Sequence, residues 1–330
     1  VFIAQYEEIT NPMTPLKIVL CSLEGERFFN RLDDLDNVEI ISCPEDQLHN
    51  HASDMDIFFG KPSVELIESA PKLKWIQAPS AGVEFVAKIP KLAASDVLLT
   101  NTRGAHGPSI GEHTIALLLA MTRHIPESVH QQSQRAWDRS VLYRTAREIG
   151  GMTMGIIGFG ALGRGIAQRA TGMDMELLAV DAQAVDGTGL IDEVWPISQL
   201  DDLLEQSDVV VVATPLTDET KGMIGAVELA RMKPDAYLIV VSRGGIVDEA
   251  ALVTALTNDQ LAGAALDVTM PEPPEPDSAL WDCPRLLLTP HTAGASARKE
   301  QRVVEIFHDN VIRFQNGEPL MNLVDKTRGF

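Results

Sequence analysis

The chain is poor in cysteine, short of positive charge, and without a long apolar run. Each deficit excludes something. Its three cysteines, Cys21, Cys43 and Cys283, show no metal-type spacing. They make no disulfide framework and no cysteine metal site, and they point to a reducing, cytoplasmic setting. Lys and Arg number 27 against 47 Asp and Glu, for a net charge of −20. So acidic a surface repels nucleic acid and anionic membrane, and neither is an expected partner. An anionic ligand would have to meet locally concentrated positive charge. The longest apolar runs, such as 209–213, are strand-sized and far too short to span a bilayer. The opening Val1-Phe-Ile-Ala is followed by Gln5, Glu7 and Glu8, with no basic signal-peptide region. Met13 is a second candidate start, which would make the residues before it a tail. Solenoid-period repeats are absent, and low complexity is confined to 271–276.

What is present is a regular alternation. At 330 residues, two domains are expected. Short apolar runs at 16–21, 38–41, 56–59, 74–77 and 97–100 read as strands. So do 154–157, 177–180, 209–213, 236–241, 263–268 and 286–289. Most are unbroken rather than alternating, as in parallel sheets covered by helices on both faces. The expected fold class is therefore α/β, with two doubly wound parallel-sheet domains. A helix over 109–123 is expected to start at Ser109, with Glu112 completing a capping box. Another over 296–315 is ended by Asn316-Gly317 and Pro319. It is expected to return to the first domain, which would then comprise 1–105 and 294–330, with 106–293 between them. The segment 125–149, with Trp137 and many polar residues, reads as an arm over a partner or a neighbouring domain. A homodimer is the expected assembly.

The most specific motif is Met154-Gly-Ile-Ile-Gly-Phe-Gly-Ala-Leu-Gly163, a strand running through glycines into a helix. Gly158 permits the turn, Gly160 lets a pyrophosphate approach, and Gly163 packs the helix on the strand. Free N–H groups at the helix start then face the phosphates. The next strand ends in Asp181, 18 residues past Gly163, where a carboxylate can accept bonds from ribose hydroxyls. No Arg or Lys occupies the following ten positions to neutralise a 2′-phosphate, so NAD (as NADH) is the expected cofactor.

Three islands downstream carry chemistry. Arg243 follows a strand, where a guanidinium can hold a carboxylate through two parallel hydrogen bonds. Asp267 and Glu272 lie at a strand end and in a proline-stiffened loop, whereas Glu275 reads as solvated loop charge. His291 directly follows the last strand. Chemistry at a hydroxyl carbon needs a cation for the acid group, an imidazole to move the proton, and a carboxylate to orient and charge that imidazole. His49, His51, His106, His113, His124, His130 and His308 lack such company; His106 stands out only for its place at the inferred domain junction.

Taken in order, these pieces resemble the D-isomer-specific 2-hydroxyacid dehydrogenase family over nearly the whole chain. They are Gly158–Gly163 with Asp181, 214–220, 242–248, Leu266-Asp-Val268 with Pro271-Glu-Pro273, and Pro290-His-Thr-Ala-Gly294. Upstream, 74–83, Thr100-Asn-Thr-Arg-Gly104 and Ile110-Gly-Glu-His113 fit as well. The resemblance implies a Rossmann NAD-binding domain inserted into a flavodoxin-like substrate (catalytic) domain. It implies reversible hydride transfer between NADH and a short 2-oxo acid of the glyoxylate or hydroxypyruvate type, giving a D-2-hydroxy acid. Arg243, Glu272 and His291 become the catalytic trio. Ser80, Ala81 and Gly82 offer backbone N–H groups to the substrate carboxylate, alongside Arg243. Ala161 and Leu162 meet the pyrophosphate, Thr214, Val241 and Ser242 line the cofactor site with His291 and Gly294, and Asp267 lies near the nicotinamide amide. No metal is implied. Many members carry Asn where this chain has Val240, and Ala where it has Gly111. A cofactor-sensing corepressor on the same scaffold and a phosphite dehydrogenase are the alternatives; formate dehydrogenases carry Gln where Glu272 stands.

Overall fold

The computed structural model describes residues 14–21 and 32–326; the stretch before Met13 lies outside them. Five strands, β1 (Leu16–Leu20), β2 (Val38–Ser42), β3 (Ile57–Phe59), β4 (Trp75–Gln77) and β5 (Leu98–Thr100), form one sheet in the order β2-β1-β3-β4-β5. Seven more form a second: β6 (Thr153–Ile157), β7 (Glu176–Asp181), β8 (Trp195–Pro196), β9 (Val209–Val212), β10 (Tyr237–Val240), β11 (Gly263–Leu266) and β12 (Leu286–Leu288). Their order is β12-β11-β10-β9-β6-β7-β8. Every pairing is parallel. The expected α/β class with two parallel sheets is the observed one. The unexpected strand is β8, a two-residue edge pair ending in Pro196, too short to leave a pattern.

The unbroken apolar runs have a direct cause. In β9, Val209 and Val211 face one core layer while Val210 and Val212 face the other. Successive side chains point to opposite faces, so a strand covered on both sides must be apolar at every position. Val240 is buried in β10 between β9 and β11.

The chain divides into two compact units, Val1–His106 with Ser296–Phe330, and Gly107–Ala295. In the first, the helix Ala297–Gln315 covers one sheet face with Val303, Val304, Phe307, Val311 and Phe314, against Ile18, Leu20 and Trp75. The rings of Phe307 and Phe314 lie 5.4 and 5.6 Å from that of Trp75. Ser296 caps this helix by accepting from Arg298 N–H.

In the second unit, a helix spans Gly107–Thr122, two residues earlier than expected. Pro108 suits a first turn, where its missing N–H costs nothing. Ser109 is therefore not the cap. Its hydroxyl donates to the Gly294 carbonyl at 3.3 Å, and Glu112 pairs with Arg169 at 3.5 Å instead of closing a capping box. The helix packs tightly on Ala161–Thr171: a Cβ on Gly111 would lie 2.4 Å from the Gly165 carbonyl oxygen. Glycine is therefore the residue that fits at 111. The segment after it forms the helices Ile125–Ser133 and Ser140–Thr145, neither of which buries a residue. Among the described residues no helix is long and apolar enough to cross a membrane.

Candidate active site

All seven strands of the Gly107–Ala295 unit run the same way, so their carboxyl ends make one edge, the ligand-binding side of open α/β sheets. Going across the sheet from β12 to β7, the strand ends carry His291, Asp267, Arg243, Thr214, Gly158 and Asp181. His291, Asp267 and Arg243 occupy one end of this row, and the glycine motif with Asp181 the other. Strand order reverses at β6, which is flanked by β7 and β9.

At the glycine end the local sterics match the motif. Gly158 has φ +94°, Gly163 would place a Cβ 2.2 Å from the Gly158 carbonyl oxygen, and a Cβ on Gly160 would meet nothing within 4 Å. Ala161 and Leu162 begin the helix Ala161–Thr171, whose start has no side-chain cap. Asp181 ends β7, where its carboxylate accepts from Phe159 N–H at 2.8 Å and Gln183 N–H at 2.9 Å. Arg164 lies 5.9 Å from the Phe159 ring centre and donates to the Asp186 carbonyl at 3.2 Å. Past β10, Val241 and Ser242 are buried, and the Ser242 hydroxyl has no hydrogen-bond partner among the described residues. An open glycine backbone, an uncapped helix start and a buried unpaired hydroxyl fit a dinucleotide.

At the other end, His291 Nδ1 lies 2.5 Å from Glu272 Oε1, with both side chains a little under half exposed. Glu272, not Glu275, is therefore the imidazole's carboxylate partner. Arg243 follows β10, is partly buried, and donates from Nη1 to the Ser242 carbonyl at 2.7 Å. Its neighbour Gly244 has to be glycine, since a Cβ there would lie 2.0 Å from the Thr269 carbonyl oxygen. The turn carrying Arg243 is thus pressed against the loop leading to Glu272.

Asp267 does more than its strand-end position suggests. His291 has φ +51°, and three consecutive N–H groups fix it there. His291 N–H donates to the Asp267 carbonyl, and those of Thr292 and Ala293 to its two carboxylate oxygens, each at 2.9 Å. The Thr289 hydroxyl donates to Oδ1 at 2.6 Å. Asp267 is 1 % exposed. Burial pushes its carboxyl up, but the nearby His113 and the bonds from Thr289, Ala293 and Thr292 prevail and hold it below the usual carboxylate range.

Two participants were missed from sequence. His113, expected to lack company, sits on the helix Gly107–Thr122 with Nε2 3.1 Å from Thr289 Oγ1 and 3.5 Å from Asp267 Oδ1. Thr289 is 176 residues away in the chain, so no local spacing could pair them. The available signal was the family-like Ile110-Gly-Glu-His113. Glu249, first in the helix Glu249–Thr257, accepts Met270 N–H at 2.7 Å and so holds the start of the Glu272 loop. Burial pushes its carboxyl up.

In the other unit, Ser80, Ala81 and Gly82 lie just past β4. The Asn101 amide donates to the Ala81 carbonyl at 2.9 Å and the Thr102 hydroxyl to the Pro79 carbonyl at 3.2 Å. Among the described residues nothing accepts from the three N–H groups of 80–82. No group of three or more metal-ligating side chains occurs among the described residues.

Residues 115–293 match the model of the D-isomer specific 2-hydroxyacid dehydrogenase NAD binding domain. The chain belongs to the D-isomer specific 2-hydroxyacid dehydrogenase family. Glycerate dehydrogenase of Methylorubrum extorquens is 37 % identical to it over 267 residues, covering 79 % of this chain and 82 % of that protein. Glyoxylate reductase of Thermofilum pendens is 35 % identical over 268 residues, covering 81 % and 79 %. A family member from Aeromonas salmonicida superposes with a TM-score of 0.85 at 31 % identity, over 95 % of this chain and all of that one. Another, from Xanthobacter autotrophicus, was solved with NADPH and MES; it superposes with a TM-score of 0.82 at 26 % identity, over 96 % of this chain and all of that one. This 2-hydroxyacid dehydrogenase is thus an NAD(P)-binding oxidoreductase.

Proposed function

We propose that the enzyme uses NADH to reduce a short 2-oxo acid of the glyoxylate or hydroxypyruvate type to the D-2-hydroxy acid. The observation that carries this reading is the His291–Glu272 pair on the same sheet edge as Arg243 and the glycine motif. The relatives named glyoxylate reductase and glycerate dehydrogenase support a two- or three-carbon substrate.

Bound NADH supplies the hydride; the side chains do the rest. His291 gives a proton from Nε2 to the substrate oxygen, its Nδ1 being engaged by Glu272. Glu272 keeps the ring oriented and balances its charge. Arg243 pairs with the substrate carboxylate and polarises the carbonyl, and the N–H groups of Ser80, Ala81 and Gly82 bind the same carboxylate. Ala161 and Leu162 receive the pyrophosphate. Thr214, Val241, Ser242 and Gly294 would line the cofactor site, with Asp267 near the nicotinamide amide. Asp181 accepts from the adenosine ribose and repels a 2′-phosphate, giving NADH preference over NADPH. Arg164, in the helix that follows the glycine motif, is already engaged by Phe159 and Asp186.

A reductase panel of glyoxylate, hydroxypyruvate, pyruvate, 2-oxobutyrate and phenylpyruvate, run with each cofactor, tests this. We expect turnover with the shortest acids, a D product, and higher kcat/KM with NADH. Asp181→Ser combined with Ala182→Arg should move preference toward NADPH. Oxidation of NADH by none of the acids would refute the substrate class. NADPH preference in the unmodified enzyme would refute the role of Asp181.

A further inference from the structure

The hydrogen bonds around Asp267 have a fixed direction. An ionised carboxylate only accepts, so the single Thr289 hydroxyl proton is spent on Asp267 Oδ1 at 2.6 Å. The Thr289 oxygen, 3.1 Å from His113 Nε2, can then only accept. His113 therefore carries a proton on Nε2 whether its ring is neutral or charged. The chain of donation runs from His113 to Thr289 to Asp267, and each bond polarises the next. Asp267 in turn accepts the N–H groups of 291–293.

We propose that His113 is a positioning residue for the reduction. From its own helix it secures the Asp267–Thr289 pair, which holds the His291 backbone in its left-handed conformation. Among the described residues no hydrogen bond or ion pair joins His113 to Glu272 or to the imidazole of His291; it acts through Asp267 and Thr289. The proposal rests on the reading of His291 as proton donor, but its structural half can be measured without turnover.

Two variants separate donor from bulk. His113→Leu fills the space without a donor, whereas His113→Gln keeps an N–H at similar reach. With glyoxylate and NADH, His113→Leu should lower kcat by about tenfold, within the range of small misplacements in active sites, and leave the glyoxylate KM within about twofold. His113→Gln should recover most of the loss. Hydrogen exchange at the amides of 291–293, measured without ligand, should quicken in His113→Leu and stay near wild type in His113→Gln. In a His291→Ala background, His113→Leu should reduce kcat no further.

Unchanged exchange in His113→Leu, or equal losses in both variants at unchanged melting temperature, would overturn the proposal. So would an undiminished effect in the His291→Ala background. If His291→Ala itself keeps the wild-type rate, the proton-donor reading fails on that result alone, while the exchange measurement still decides whether His113 holds the loop.

Discussion

A proton moves efficiently in a transition state only if the group carrying it is fixed within hydrogen-bond reach and set at a suitable acidity. His291 meets the first condition twice over, through Glu272 on Nδ1 and through the backbone bonds to Asp267. His291→Ala and Arg243→Ala should each lower kcat by at least about 10²-fold, the lower end for positioned acid–base catalysis, while NADH still binds by fluorescence titration. Glu272→Gln should cost less, because an amide can still orient the ring but cannot balance its charge. A loss equal to that of His291→Ala would show Glu272 to be more than a partner, and no loss at all would remove it from the site. Arg243 and His291 drew attention in the sequence because they follow apolar runs, the part of a parallel strand that faces ligand, whereas Glu272 lies in the loop beyond β11 and the grouping of the three came from the family resemblance. His113 and Glu249 were not legible there, because their partners come from distant strands and loops.

At the scale of elements, double burial made the strands easy to find, since a strand covered on both faces has no polar side to blur its ends. Helix starts were harder. Ser109 and Glu112 have capping-box spacing, yet Gly107 and Pro108 open the helix and both side chains find partners elsewhere. The close pair formed by this helix and Ala161–Thr171 depends on missing side chains. Gly111→Ala should lower stability here by about 1–3 kcal/mol, the usual cost of overpacking. The methyl would meet the Gly165 carbonyl and the Arg169 side chain. A thermal melt reads this directly, and an unchanged midpoint would show that the helices separate without cost.

For the whole molecule, the arm 125–149 is where basic and exposed apolar side chains gather. The arm 125–149 carries four arginines (Arg135, Arg139, Arg144, Arg147) against three acids (Glu127, Asp138, Glu148) in a chain of net charge −20. Trp137 is 96 % and Tyr143 79 % exposed, beside exposed Ile125, Val129 and Val141. Large exposed apolar groups mixed with arginine are the composition of interface centres. We propose that the arm joins two copies. Light scattering should find a dimer at micromolar concentration, strengthened by salt that screens the mutual repulsion. Trp137→Ser should weaken it by about tenfold or more. A monomer in the unmodified protein would end this proposal. The sequence pointed to the arm, but not to which of its side chains would be bare, because exposure follows from packing that composition does not encode.

The division of the chain also imposes an order on its synthesis. The seven-stranded unit is one continuous stretch and has both core layers in hand once Ala295 has left the ribosome. The five-stranded unit is begun first and finished last. One face of its sheet, with Ile18, Leu20 and Trp75, waits for Phe307 and Phe314 to arrive from the far end of the chain. Domains generally fold as units as they emerge, yet here the five-stranded one cannot close this core layer until the helix Ala297–Gln315 has been made. For that interval the nascent protein holds a completed nucleotide-binding unit and an uncovered apolar sheet face, and the helix Ala297–Gln315 is the piece that ends the exposure.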